Sequence, residues 1–367
     1  MNVLMKFGYV TMLIILHIVS MPIVAATPRL TADQRCNLIC GTTCSNFTCP
    51  VADIATSARV VAIKALNRMP VDPNKDFPPN IAQFTDAQRE EYRQEFAKNI
   101  ACVFGMPVGW KLAASAATPA SPVLGYTKPS IGQLFSRMNI FGSEARITNN
   151  YAVGAAHESD LIIRVSNEAI NDATTPEDII ENIDAVIPYI ELPALYVQTL
   201  AEIAGPEAPF SGNSLLTPLN AVARFGLLGS PIPVPGERTT DEWITALSSV
   251  TGQEETVTTT GAVVKPFNGA DYLNFALRLI SLLKQNGITV HKGELLSLGN
   301  LTGVNLFQPN ELEIRATYDT ISPDGPVTIK VIVDNQDGLC IGKENVCGQT
   351  PLATFILKKY CGITSSC

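Results

Sequence analysis

From about residue 107 onward the chain never stays apolar for long. Short runs rich in Val, Ile, Leu and Thr are cut by Gly, Pro and Asn. They are VGWKLAAS (108–115), SDLIIRV (159–165), AVIPYIELPALYV (185–197), AVARFGLLGS (221–230), EETVTTTGAVV (254–264), GELLSLGNL (293–301) and PVTIKVIV (326–333). Branched side chains suit a pleated surface, and the breakers end each run after about a strand's length. Two stretches among them have helical spacing instead. TPEDIIENI (175–183) opens with Thr175, Pro176 and two acids, as a helix N-terminus does. ADYLNFALRLISLLKQNG (270–287) closes at Gly287. The polar, Pro- and Gly-rich stretch 229–260 reads as a surface excursion.

Before residue 107 the spacing differs. VADIATSARVVAIKALNRM (51–69) and FTDAQREEYRQEFAKNIACVFG (84–105) place apolar residues three and four apart, which predicts two helices. Thr85 stands where an N-cap belongs, with Glu90 and Glu91 in an early turn. Pro-rich MPVDPNKDFPPN (69–80) joins the two. The expected organisation is a helical segment over 51–106, a larger domain over 107–337 and a Cys-bearing end on either side.

Residues 1–26 combine Lys6, an apolar run and Val24-Ala25-Ala26, the layout of a cleaved secretory signal. An uncleaved anchor is the alternative; Pro22 and the shortness of the run speak for cleavage. Of nine cysteines, Cys36, Cys40, Cys44 and Cys49 fall in a leader (27–50). Cys340, Cys347, Cys361 and Cys367 fall in a tail (338–367), and Cys102 stands apart. Two such clusters suit disulfides in an oxidising compartment, and Asn46-Phe47-Thr48 is a glycosylation sequon. A secreted protein with no retained membrane segment is expected. The net charge of -8 and the lack of any basic run argue against nucleic acid as a partner.

The stretch HESDLIIRV (157–165) asks for an explanation. A chain with only 16% charged residues sets Glu158 and Asp160 where a buried strand begins. Strand alternation points these two to one face, and His157 and Ser159 to the other. Like charges on one face repel, and burying them is costly without a cation or donor. Glu191, inside PYIELP, meets the same objection. One divalent ion would resolve all three, and an all-carboxylate set suits Mg²⁺, Mn²⁺ or Ca²⁺. Solvated strand ends, or pairing with Arg164 or lysines, are the alternative.

Five elements follow in order: GWKLAASA (109–116), LGYTKPSIGQLF (124–135), ESDLII (158–163), YIELPAL (189–195) and GITVHKGELLSLGNLTG (287–303). The series resembles the fumarylacetoacetate hydrolase superfamily, in its 2-keto-4-pentenoate hydratase and 2-oxo acid decarboxylase branch, over about residues 80–335. The resemblance implies an α+β fold: a mixed β-roll with an N-terminal helical segment, the Cys-rich ends lying outside it. It implies that Glu158, Asp160 and Glu191 hold a divalent metal, Mg²⁺ first, with Mn²⁺ or Ca²⁺ as alternatives. Lys111 matches the active-site lysine. Ser115, Ser130, Asn300, Leu301 and Thr302 match positions that line the substrate site. The implied chemistry is a small 2-oxo acid chelating the ion, which stabilises an enolate-like intermediate. Hydration, decarboxylation or C–C hydrolysis would follow, with Lys111 binding the substrate carboxylate or moving a proton.

The sequence departs from that pattern in places. The second metal acid is Asp160 rather than Glu, and Ala113 replaces a glycine. Ser130 stands where some hydratases carry an acid, Asn300 replaces a serine, and Ala194 ends a run where an acid would follow. A second reading therefore stays in play: a catalytically inactive relative retained as a secreted binding or structural protein. A homo-oligomer stays open. His157 faces away from the acids and is assigned a packing or surface role, and His291 in VHKGE belongs to an exposed turn.

Overall fold

The computed structural model describes residues 53–66, 68, 70–116, 126–196, 213–334 and 341–342. The leader, both cysteine clusters, the Asn46 sequon and the side chain of Cys102 lie outside the described residues. The helical segment forms as its spacing predicts. Helix α1 (Ile54–Leu66) buries Ala58, Val61, Ala62 and Ala65. Helix α2 (Asp86–Phe104) buries Tyr92, Phe96, Ile100 and Phe104, each one turn beyond the last. Thr85 and Gln88 cap α2 reciprocally, satisfying two orphan backbone donors. Between the helices, Ser57 donates to the Asp76 carbonyl at 2.6 Å and lies 2.7 Å from the Tyr92 hydroxyl, so the polar groups buried there are paired.

Two mixed sheets follow. Across the larger one the strands run β2 (Ser130–Phe135), β1 (Pro107–Ala113), β11 (Leu295–Asn300), β5 (Ala156–Val165), β6 (Ile183–Leu192), β7 (Phe225–Leu228) and β3 (Asn139–Phe141). Short β12 (Asn305–Leu306) pairs with β5, and β8 (Ile232–Pro233) with β6. The second sheet runs β10 (Gly261–Ala270), β9 (Val250–Thr258), β13 (Glu311–Tyr318), β14 (Val327–Asp334), β4 (Glu144–Thr148) and β15 (Ile341–Gly342). Strands β5 and β6 are buried along nearly their whole length, because sheet and helices cover both faces. The sheets meet where β14 packs on β6 and β7. There Tyr318 of β13 places its hydroxyl 2.7 Å from the carbonyl oxygens of both Asp160 and Tyr189.

Helices α3 (Pro176–Glu181), α4 (Thr240–Ser248) and α5 (Tyr272–Gln285) pack on one another, and α5 lies against β1, β2 and β11. Helix α4 corrects the expected surface excursion over 229–260. Thr239 and Glu242 form a capping box, and Trp243 is wholly buried, donating to the Pro235 carbonyl at 2.7 Å. So short a helix buries only Trp243, Ala246 and Leu247, too few apolar residues to stand out among polar neighbours. EETVTTTGAVV is likewise not one strand but the two arms of the β9–β10 hairpin. Strands β2, β4 and β13 lie outside the apolar runs, because their half-buried positions carry Gln, Glu, Arg or Thr, and β13 leaves Leu312 exposed. Among the described residues no helix is long and apolar enough to cross a membrane.

Close backbone packing surrounds the centre of the larger sheet. Gly226 pairs with Glu191, and a Cβ added there would fall 2.1 Å from the ring of Tyr189, itself buried. Overpacking of this kind costs about 1–3 kcal/mol. Gly226→Ala is expected to lower the denaturant midpoint accordingly, and an unchanged midpoint would contradict the packing.

Candidate functional site

Strand alternation does to residues 157–160 what the sequence predicts. Glu158 and Asp160 project from one face of β5, His157 and Ser159 from the other. Antiparallel pairing with β6 sets Glu158 opposite Glu191 and Asp160 opposite Tyr189. The neighbouring strand β11 carries Ser297, which pairs with Lys111 of β1. Four ionisable side chains from three strands are thereby buried together: Lys111, Glu158, Asp160 and Glu191 are 1%, 6%, 0% and 2% exposed.

Lys111 donates from Nζ to Glu191 Oε1, and Glu191 also lies within hydrogen-bonding reach of Glu158. Asp160 is held differently. Its Oδ2 accepts from Ser297 Oγ at 2.5 Å and its Oδ1 from the Leu161 amide at 2.6 Å. Tyr272 Oη lies 3.4 Å from the same Oδ1 and donates to the Gly299 carbonyl at 3.0 Å. The register of β11 against β5 slips between Ser297 and Asn300, and this bulge aims Ser297 at Asp160. Gly299 sits in the bulge at φ +112°, where a Cβ would meet Ser115 Oγ at 2.6 Å.

The electrostatics follow from burial. Burial drives the Glu191 carboxyl well above its ordinary range, the Lys111 cation opposing and the charge of Glu158 reinforcing the shift. Asp160 is pushed up to about 8, again chiefly by burial, against the hydrogen bonds from Ser297 and Leu161. For Lys111, burial alone would lower the pKa. The charges of Glu191, Glu158 and Asp160 outweigh it and hold the ammonium above its usual value. Tyr126 is raised to about 12 by burial and by the charge of Glu158. Arg164 pairs with Asp184 at 2.6 Å, away from these acids.

The remaining candidates divide. Ser115 is buried against Gly299, and its carbonyl accepts from Arg278. Ser130 pairs with Ala113 across β1 and β2, and its hydroxyl lies 2.8 Å from that of Thr217. Asn300 pairs with Asp160 through the backbone, and its side chain lies outside the described residues. The Leu301 amide donates to the Ser159 carbonyl at 2.7 Å. Thr302 Oγ1 accepts from the Ser159 amide at 3.2 Å and donates to Glu254 at 3.0 Å, on the face of β5 away from the acids. His157 is buried against Phe307, 3.2 Å from Glu254 and 3.7 Å from Glu311. Burial alone would lower its pKa, and these two carboxylates raise it to about 9. His291 is exposed, 3.0 Å from Glu168.

Sequence reasoning missed Ser297, Tyr272 and Glu254. Ser297 lies inside a quoted motif, but nothing local shows that its hydroxyl reaches Asp160. No family model matches the sequence, and neither does any curated protein. Solved structures do match. The 4-oxalocrotonate decarboxylase of Pseudomonas putida G7, complexed with magnesium and adipate, superposes with a TM-score of 0.59 at 15% identity, covering 77% of this chain and 97% of that one. Its complex with calcium and acetate gives 0.57 at 16% identity over the same shares. The architecture of this chain is therefore the α+β fold seen in 4-oxalocrotonate decarboxylase.

Proposed function

We propose that this protein is a divalent-metal-dependent enzyme acting on a small 2-oxo acid, a lyase or C–C hydrolase, with hydration the reaction its motifs resemble most. The observation that carries the reading is the burial of three acids around one lysine. An apolar set of the same volume would serve folding as well or better. The decarboxylase of like fold was seen with magnesium and with calcium, ions that seek carboxylate oxygen. The leader and the cysteine clusters support export as its setting.

The donor set fits such an ion. Burial first, and then the charge of Glu158, drive Asp160 and Glu191 toward protonation, and a divalent cation would oppose both effects. Among the described residues no three His, Cys, Asp or Glu are already closed around one point. Lys111 engages Glu191, while Ser297 and Leu161 engage Asp160. Glu158, Asp160 and Glu191 would hold the metal, which supplies positive charge where a 2-oxo group gains negative charge. Lys111 keeps a proton on Nζ and offers a cation to a substrate carboxylate. Ser297 orients Asp160. Ser115, Ser130, Asn300 and Leu301 would line the substrate end, while Thr302 turns its hydroxyl to Glu254 on the opposite face.

The engagement of Asp160 and of Ser130 by protein partners favours a second reading, an inactive binding relative. Calorimetry separates the two. Wild type is expected to bind Mn²⁺, and the Mn²⁺-loaded protein to bind oxalate, a bidentate mimic of a 2-oxo acid. Glu191→Gln removes a charge but little volume, and is expected to weaken Mn²⁺ at least about tenfold. No binding by wild type, or equal binding by both proteins, would leave the second reading in front.

A further inference from the structure

On the face of β5 opposite the acids, polar groups from three other elements converge on Glu254 of β9, which is 1% exposed. Its Oε2 accepts from Ser159 Oγ at 2.7 Å and from Thr302 Oγ1 at 3.0 Å. Its Oε1 accepts from Asn305 Nδ2 at 3.0 Å and lies 3.2 Å from His157 Nδ1. Burial would raise its pKa, but His157, Ser159 and Thr302 outweigh it and leave the group lowered. A buried carboxylate so fully satisfied fixes the groups that satisfy it.

Those groups belong to two neighbouring pieces of the site. Ser159 stands between Glu158 and Asp160. Thr302 ends the loop Asn300-Leu301-Thr302, which β11 delivers beside Asp160. Leu301 and Thr302 otherwise touch β5 through the Leu301 amide on the Ser159 carbonyl at 2.7 Å and the Ser159 amide on Thr302 Oγ1 at 3.2 Å. Without Glu254 the Thr302 hydroxyl has one fewer partner and can turn, taking the loop with it.

We propose that Glu254 is a positioning residue, setting through Ser159 and Thr302 where the 300–302 loop stands relative to the acids on the other face. This rests on reading that pocket as a metal and 2-oxo acid site. The acid-bearing strand and the substrate-lining loop would then be locked together from behind, by a residue that touches neither metal nor substrate.

Three proteins carry the test: Glu254→Gln, Thr302→Val and the double variant. Each is titrated with Mn²⁺ alone and then, loaded with Mn²⁺, with oxalate. Amide hydrogen exchange is followed over 300–306. Glu254→Gln is expected to weaken oxalate at least about tenfold more than it weakens Mn²⁺, as the loss of a charged hydrogen bond allows. Exchange over 300–306 is expected to quicken at least about tenfold, with that of β13 and β14 unchanged. The double variant is expected to be no worse than the stronger single variant, because both cut one link. Equal losses of Mn²⁺ and oxalate affinity, or unaltered exchange over 300–306, would overturn the proposal. Should Glu254→Gln fold poorly, Thr302→Val removes one donor alone and must show the same split. If wild type binds neither probe, the metal-site reading fails instead, and the exchange comparison alone decides whether Glu254 ties the loop.

Discussion

Lys111→Met is expected to destabilise the metal-free protein by about 3–5 kcal/mol, the usual consequence of removing one partner of a buried ion pair. Methionine fills much of the lysine's volume, so the loss reports charge rather than a cavity. Lys111 and Glu191 side chains are only 2% and 3% exposed, and water cannot replace the ammonium. Glu158, Asp160 and Glu191 would then face one another with no cation between them. Saturating Mn²⁺ is expected to return much of the loss, because the ion supplies the missing charge. It should therefore stabilise Lys111→Met more than wild type, while any turnover disappears. Thermal unfolding with and without Mn²⁺ measures both effects. A variant as stable as wild type, or the same gain from Mn²⁺ in both proteins, would show that the lysine does not balance the acids.

Asp160 makes the metal-free protein pH-sensitive in a direction that can be worked out. Its pKa rises from 3.8 unfolded to about 8 folded, because burial disfavours the anion. The folded state therefore keeps a proton that the unfolded chain has lost. The stability linked to this proton is fully present below about pH 3.8, falls as pH rises, and is gone above about 8. The full swing is on the order of 5 kcal/mol. Asp160→Asn removes the titration and keeps the volume, and the Ser297 hydroxyl can turn to suit the amide. In EDTA, wild type should lose stability relative to Asp160→Asn by several kcal/mol between pH 4.5 and 9, approximate limits chosen to bracket the window. With Mn²⁺ the trend should weaken or reverse, since the ion binds the deprotonated acids and holds them better as pH rises. Parallel stability curves for the two proteins in EDTA would rule this out.

Much of this was legible in one dimension. Period-two alternation placed Glu158 and Asp160 together and His157 and Ser159 behind them, and β5 obeys it. Spacing of three and four, with Thr85 at the cap, marked α2. Such patterns are local, because the backbone conformation of a few residues decides where each side chain points. Where local pattern failed, packing had the deciding vote. Trp243 turns a polar stretch into a helix only because a buried place exists for it. The breaker Gly261 divides one apparent strand into a hairpin whose arms pair with each other.

The sequence by itself determined which face of β5 Glu158 and Asp160 take, and the order of elements that brings Lys111, Glu158, Asp160 and Glu191 to one sheet. Only the tertiary structure decided their partners. Ser297 reaches Asp160 across 137 residues of chain, Lys111 reaches Glu191 across 80, and Glu254 reaches Ser159 across 95. The physical reason is register. A one-residue slip between strands turns every side chain to the opposite face, and the register here is set by a bulge at Gly299 and by packing between sheets. Neither leaves a periodic trace in the residues it aligns.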